Sequence, residues 1–191
     1  MKSLSESAVD GESRIAQKAG FSPVAQVANA LSLTRFGLAA AWIIAARTGK
    51  QQALMPIAAL AIASDFLDGR VARRLRAESV AGRWLDGIAD VMFLLTAMGC
   101  EVIASRLPIY VPLLVAALFA QYVADSALRT GRPIASRVGH WCGIVNYAIV
   151  LLLSTGLASA SAAVMRVSPI LAAFYIIAMA ERAWLYYEPR S

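Results

Sequence analysis

Long apolar stretches follow one another through most of this chain, and they limit what it can fold into. After about residue 30 there are six of them, each near the roughly 20 residues that a helix needs to cross a membrane. In lipid the backbone polar groups must be satisfied within the segment itself, which favours helices. We therefore predict an all-α membrane protein with six transmembrane helices, at residues 30–46, 53–73, 82–105, 107–127, 141–157 and 162–184.

The composition agrees with this interpretation. Hydrophobic residues make up 59% of the 191 residues, and the mean hydropathy is +0.62, whereas soluble domains contain roughly 45–50% apolar residues. Only residues 1–28 are mostly polar, and we expect them to form an N-terminal tail or interfacial segment before a transmembrane domain at 29–187. Residues 13–28 fit an amphipathic juxtamembrane helix. They fit a disordered leader with an interfacial cap equally well, since Gly20 and Pro23 interrupt the pattern.

Lysine and arginine are distributed unevenly between the two sides of this arrangement. With the N-terminus inside, 14 of the 18 lie on one side, and the other side holds only Arg47, Lys50, Arg106 and Arg166. Cytoplasmic loops are enriched in these residues, so we expect a multi-pass protein of a bacterial inner membrane with both termini in the cytoplasm. Orientation in membrane lipids also explains the net charge of +6, so we expect no nucleic acid as a partner.

Four aspartates interrupt the apolar pattern around the second and third predicted helices. Asp65 and Asp68 are three residues apart and share a helical face, and Asp86 and Asp90, four apart, share a face of the next helix. If the two faces meet, four carboxylates converge near the cytoplasmic surface, where they cannot all stay ionised without a cation. Oxygen ligands without His or Cys favour Mg²⁺ or Mn²⁺. A structural ion-pair network is the alternative interpretation of the same residues.

Small residues and an arginine accompany these carboxylates. Gly69, Ala72 and Gly82 allow a close approach of helix backbones or of a ligand. Arg73 lies one turn from Asp68 and is suited to hold a phosphate that also touches a metal. Carboxylates, metal, glycine and arginine together describe a site for a diphosphate.

The spacing of these residues resembles the signature of the CDP-alcohol phosphatidyltransferase family. That signature is D-x-x-D-G-x-x-A-R, eight further residues, and G-x-x-x-D-x-x-x-D, and it is complete here. The stretch NALSLTR, Asn29 to Arg35, is also similar to the family's N-x-L-S/T-x-x-R segment, with Ala28 where a proline is common. On these motifs, residues 29–187 are identified as a CDP-alcohol phosphatidyltransferase transmembrane domain.

The resemblance implies that CMP is displaced from CDP-diacylglycerol by the hydroxyl of a small polar alcohol, with two divalent cations, Mg²⁺ or Mn²⁺, at the site. By motif position it implies metal ligands at Asp65, Asp68, Asp86 and Asp90, with Asp90 also acting as the general base. The residues expected to bind the CDP part are Asn29, Ser32, Gly69, Arg73, Ser79 and Gly82. A homodimer is expected by family analogy alone.

A second basic cluster lies between the fourth and fifth predicted helices, on the same side as the aspartates. Its members are Arg129, Arg132, Arg137 and His140. Arginine suits phosphate, so one interpretation is a pocket for glycerol 3-phosphate or another phosphorylated polyol. The other is that the cluster only reflects the enrichment of cytoplasmic loops in positive charge.

Two further functions are consistent with parts of the pattern. Within the family, a CDP-amino-alcohol can donate its headgroup to diacylglycerol, and an acceptor pocket without charge would favour that direction. A divalent-cation transporter would also contain intramembrane carboxylates. It predicts acidic residues spread across the membrane depth, and it leaves Gly69, Arg73 and Gly82 unexplained.

Other charged and aromatic residues have structural interpretations. We expect Glu101 to pair with Arg106, and Asp125 with Arg129 four residues later. The four tryptophans all lie near predicted helix ends, where aromatic belts form at membrane interfaces. They are Trp42, Trp84, Trp141 and Trp184.

Overall fold

The computed structural model describes residues 23–74, 80–129 and 137–187, with side chains over 32–67, 80–128 and 138–184. These residues form six α-helices, and no strand occurs among them. The helices are α1 (Pro23–Arg47), α2 (Gln51–Arg74), α3 (Val80–Ile103), α4 (Tyr110–Arg129), α5 (Arg137–Ser154) and α6 (Ala158–Tyr187). Each contains one of the six predicted stretches for most of its length.

The first helix is longer than its apolar core. It begins at Pro23, and proline is favoured at the first position of a helix because its missing N–H has no helical partner there. Residues 23–28, predicted as the end of the interfacial segment, are part of this continuous helix. The remainder of that segment, residues 1–22, lies outside the described residues.

Three of the connections between consecutive helices lie within the described residues, and each of them is a short turn. The chain turns tightly around Arg106 and Pro108, since α3 ends at Ile103 and α4 starts at Tyr110. Ser105 adopts a left-handed conformation there, with φ of 58°. Gly156, between α5 and α6, has φ of 70°, and a Cβ at this position would lie 2.6 Å from Gln51 Cγ. Both the backbone and the neighbour therefore require glycine at this turn.

Small residues bring α1 close to α2. Ala39 and Ala45 of α1 and Ala58 and Ala61 of α2 are all buried, and small side chains let membrane helices approach closely. α1 also packs along α3, α4 packs along α6, and α5 contacts α2, α3 and α6. Trp42 corrects the aromatic-belt prediction: its ring is fully buried, 5.9 Å edge-to-face from Phe93.

Among the described residues, two helices have the length and apolar composition of a membrane span. Residues 110–128 of α4 and 158–184 of α6 are long and apolar enough to cross a bilayer. Residues 51–67 of α2 and 138–154 of α5 form shorter apolar segments. α3 has the length, but its apolar character is interrupted by Asp86, Asp90 and Glu101. Six transmembrane spans are therefore not established by length and hydropathy alone.

Polar contacts are found toward each end of the bundle. At one end, Gln51 donates to the Ser154 carbonyl and Tyr110 contacts Ser168. The predicted pair of Glu101 and Arg106 is confirmed at this end, with a separation of 2.8 Å between Glu101 Oε2 and Arg106 Nε. The aspartates lie at the other end, where the second half of α2 meets the first turns of α3.

Candidate active site

Three helices contribute side chains to one polar cluster. α1 provides Ser32 and Arg35, which are three residues apart and share a face. α2 provides Asp65, and α3 provides Asp86 and Asp90, which share a face at a spacing of four. Since α1 packs along both α2 and α3, its polar face lies between the two sets of carboxylates.

Arg35 is the centre of this cluster. Its Nη1 lies 2.5 Å from Asp86 Oδ1 and 3.1 Å from Asp90 Oδ1, and its Nη2 lies 3.0 Å from Asp65 Oδ1. The arginine side chain is fully buried, whereas those of Asp65 and Asp86 are 42% and 40% exposed. A planar guanidinium presents several N–H groups in fixed directions, so one residue of α1 connects the carboxylates of two other helices.

The three carboxylates are close enough to share a metal ion. One oxygen from each of Asp65, Asp86 and Asp90 can be chosen so that all three lie within 4.8 Å of one another. Carboxylate oxygens are the ligands that Mg²⁺ and Mn²⁺ prefer. Negative charges this close to one another also favour the binding of a divalent cation. The residues present therefore fit a hard divalent metal.

Asp90 has a further partner in a fourth helix. The hydroxyl of Tyr147 in α5 donates to Asp90 Oδ1 at 2.8 Å. The Tyr147 ring is stacked on Phe93, with 6.3 Å between centroids and 21° between planes. Asp90 is therefore held by α1 and by α5 at once.

A cavity of about 450 Å³ opens beside the carboxylates. Asp86, Asp90 and Tyr147 line it where it meets the cluster, and Asn146, His140 and Arg182 add polar groups elsewhere on its wall. Apolar side chains from α3 and α4 form much of the remaining surface: Val91, Leu94, Val115, Leu118 and Phe119. A small polar molecule in this cavity would contact Asp90 directly.

Arg182 of α6 is the buried cation of that wall. Its Nε donates to Asp125 Oδ2 at 3.2 Å, and its guanidinium carbon lies 5.0 Å from the centre of the Tyr122 ring. Asp125 therefore pairs with α6 in this structure, whereas the sequence predicted Arg129, whose side chain lies outside the described ones. The local spacing rule missed a partner 57 residues away.

The predicted donor-site residues are described to different extents. Ser32 is buried and its hydroxyl lies 3.4 Å from Asp86 Oδ1, so the structure brings it to the cluster. Gly82 lies in the first turn of α3, four residues before Asp86. Asn29 is in α1, and Gly69 and Arg73 are in α2, but their side-chain environments lie outside the described ones. Ser79 lies outside the described residues altogether.

The structure also describes only some of the side chains of the fourth predicted metal ligand and the acceptor cluster. Asp68 is in α2, one turn after Asp65, and its side chain lies outside the described ones. Of the acceptor candidates, His140 is exposed and lines the cavity. Arg129 ends α4 and Arg137 begins α5 without described side chains, and Arg132 lies outside the described residues.

Three residues of the site had no assigned role in the sequence. Arg35 was part of the NALSLTR segment, and its position three residues after Ser32 was the available signal. The sequence indicated only that Arg182 is one of the positively charged residues on the cytoplasmic side. Tyr147 belongs to no motif, so no sequence signal distinguishes it from the other tyrosines.

Comparison with known proteins gives one match. The model of the CDP-alcohol phosphatidyltransferase family matches residues 25–184, which include every residue of the cluster and of the cavity wall. No curated protein and no solved structure matches the chain.

Proposed function

The chain belongs to the CDP-alcohol phosphatidyltransferase family, and from this premise we propose that it transfers a phosphatidyl group from CDP-diacylglycerol to a small hydroxyl acceptor, releasing CMP. Membership makes it a phosphotransferase of phospholipid biosynthesis. The observation that carries the finer proposal is the three-carboxylate cluster, two members of which, Asp86 and Asp90, line a cavity large enough for a small polar alcohol.

We propose that Asp65, Asp68, Asp86 and Asp90 hold two divalent cations, Mg²⁺ or Mn²⁺. Such ions neutralise the charge of a diphosphate and of the leaving phosphate oxygen. The distances among Asp65, Asp86 and Asp90 support this assignment. Asp68 follows Asp65 by one helical turn in α2, on the same face.

We assign the CDP part of the donor to residues beside these carboxylates. They are Asn29, Ser32, Gly69, Arg73, Ser79 and Gly82. Ser32 is in contact with Asp86, and Asn29 precedes it by three residues on the same face of α1. Gly82 and Asp86 are related by one turn of α3, which supports a donor lying across the start of that helix.

Asp90 is the proposed general base. In the reaction, the acceptor oxygen forms a bond to the phosphorus of the phosphatidyl group, the bond from phosphorus to the CMP oxygen breaks, and Asp90 takes the hydroxyl proton. A base must lie within hydrogen-bond reach of the proton that it removes. The position of Asp90 on the cavity wall supports this role for an acceptor bound in the cavity.

We propose glycerol 3-phosphate or another phosphorylated polyol as the acceptor. Support comes from the polar groups near the cavity: Arg182 and His140 line it, and Arg137 begins the helix that carries His140. Arg129 and Arg132 precede that helix in the chain. The planar guanidinium of arginine can bind two oxygens of a phosphate at once.

In this proposal all six helices cross the membrane, with both termini and the active site facing the cytoplasm of a bacterial inner membrane. Large apolar side chains point outward along the bundle, among them Ile44, Leu60, Leu113, Ile170 and Ile177. Soluble monomers rarely expose apolar surface on this scale. A homodimer follows from family analogy alone.

The test is CMP release by detergent-purified protein from CDP-diacylglycerol with Mg²⁺ or Mn²⁺, over glycerol 3-phosphate, inositol phosphate, inositol, serine and glycerol. We expect release that depends on one phosphorylated acceptor. Release only from a CDP-amino-alcohol with diacylglycerol would contradict the proposed direction. Metal uptake into vesicles without CMP release would favour the transporter.

A further inference from the structure

The two oxygens of Asp90 have different surroundings. Oδ1 accepts a hydrogen bond from Tyr147 at 2.8 Å and lies 3.1 Å from Arg35 Nη1. No hydrogen bond to Oδ2 is present among the described residues. The carboxylate is therefore anchored through one oxygen, and the other is available to a ligand.

Tyr147 is itself held in place. Its ring is stacked on Phe93, and Phe93 is fully buried with its own ring against Trp42. These three aromatic residues come from α5, α3 and α1. The hydroxyl of Tyr147 thus reaches Asp90 from a fixed ring, and it meets the same oxygen that lies beside the buried Arg35.

We propose that Tyr147 is a positioning residue for Asp90, which fixes Oδ1 so that Oδ2 is the oxygen that takes the acceptor proton. This inference rests on the proposed function, because it requires Asp90 to be the base. An aspartate side chain rotates about two bonds, and a hydrogen bond from Tyr147 together with an ion pair to Arg35 on the same oxygen restricts both rotations. A base fixed in the productive orientation avoids the rate loss that small misplacements cause.

The test compares Tyr147→Phe with Tyr110→Phe. The first removes the hydroxyl next to Asp90 and keeps the ring on Phe93. The second removes a hydroxyl that bonds to Ser168 at the other end of the bundle. We expect kcat for acceptor-dependent CMP release to fall about tenfold in Tyr147→Phe. The KM values for donor and acceptor, Mn²⁺ binding and the melting temperature should stay near wild type, and Tyr110→Phe should keep the wild-type kcat.

A second comparison tests whether the effect passes through Asp90. In an Asp90→Asn background the residual rate should not fall further when Tyr147→Phe is added, because residues that act as a unit are non-additive. A further tenfold fall would overturn the inference. If Tyr147→Phe does not fold, Tyr147→Gln, which keeps a donor, should be faster than Tyr147→Leu, and equal rates would overturn it.

The two proposals fail in different ways. A wild-type protein that releases no CMP with any acceptor contradicts the proposed function. Wild-type turnover with an unchanged kcat in Tyr147→Phe contradicts only the role of Tyr147. If kcat falls equally in Tyr110→Phe, both hydroxyls act by stabilising the fold, and this result also overturns the inference.

Discussion

The guanidinium of Arg35, buried in α1, lies 2.5 Å from Asp86 Oδ1 at the start of α3. The same guanidinium reaches Asp65 in α2 and Asp90 one turn further along α3. One cation therefore connects three helices at the point where the proposed chemistry takes place. Its removal should affect both the stability of the bundle and the charge of the metal site.

Arg35→Gln should destabilise the metal-free protein by about 2 kcal/mol, less than a fully buried pair because the aspartates are partly exposed. A fall in melting temperature of roughly 4–8 °C in detergent is expected. Mn²⁺ should recover part of this loss, since it supplies positive charge to the same carboxylates. The control is Arg106→Gln, which unpairs Glu101 at the other end. Equal recovery of both variants by Mn²⁺ would contradict the prediction.

Asp86→Asn should weaken Mn²⁺ binding by about tenfold or more, because it removes one charged ligand from a hard-metal site. Binding is measured by electron paramagnetic resonance of free Mn²⁺. Asp125→Asn removes a carboxylate at the same end of the bundle that pairs with Arg182 outside the cluster. That control should bind Mn²⁺ like the wild type, and a similar loss in both variants would refute the assignment of the site.

Asp90→Asn should lower kcat about 10²–10⁴-fold, the usual contribution of a general base. Asparagine keeps an oxygen at the position, so binding of CDP-diacylglycerol should change little. Turnover is followed by acceptor-dependent CMP release, and donor affinity by equilibrium binding of the labelled lipid. Full activity in this variant would show that Asp90 is not the base.

Arg137→Ala should raise the KM for a phosphorylated acceptor by about tenfold while the donor KM changes little, because a lost charge-assisted hydrogen bond weakens binding of the phosphate. The matched control is Arg166→Ala, an exposed arginine in the first half of α6 at the other end of the bundle. Equal effects on both substrates would remove Arg137 from the acceptor site.

The proposed topology predicts which residues are accessible from each side of the membrane. In a background with Cys100 and Cys142 replaced, Ser105→Cys in the turn between α3 and α4 should react with an impermeant maleimide in intact cells. Ala81→Cys, in the first turn of α3, should react only after permeabilisation. The reverse pattern would invert the topology, and reaction of both in intact cells would contradict six spans.

Regular helical spacing explains why much of the site could be predicted from the sequence. Asp86 and Asp90 are one turn apart, so their common face follows from helix geometry alone. The meeting of that face with Asp65 required two helices to pack, and the resemblance to the family supplied this information. The helices themselves could be predicted from the length of the apolar stretches. The observed bounds differ from the predicted ones by a few residues because some helices continue into polar residues, as the first helix does at Pro23.

The remaining contacts depend on how distant helices are rotated toward each other. Nothing in the sequence around Tyr147 shows that its hydroxyl meets Asp90, 57 residues earlier. Asp125 similarly had a local candidate in Arg129, and tertiary packing brought Arg182 to it instead. Trp42 was misjudged because an aromatic residue near a helix end is equally apolar facing lipid or facing Phe93.

The most direct test of the central claim is to identify the lipid that purified protein makes from CDP-diacylglycerol and glycerol 3-phosphate with Mg²⁺, by mass spectrometry, alongside the CMP released. We predict a new phosphatidyl ester of the acceptor in equal molar amount to CMP, lost on chelation of the metal and in Asp90→Asn. Formation of that lipid at an undiminished rate in Asp90→Asn, or no new lipid with this or any other hydroxyl acceptor, would contradict the account.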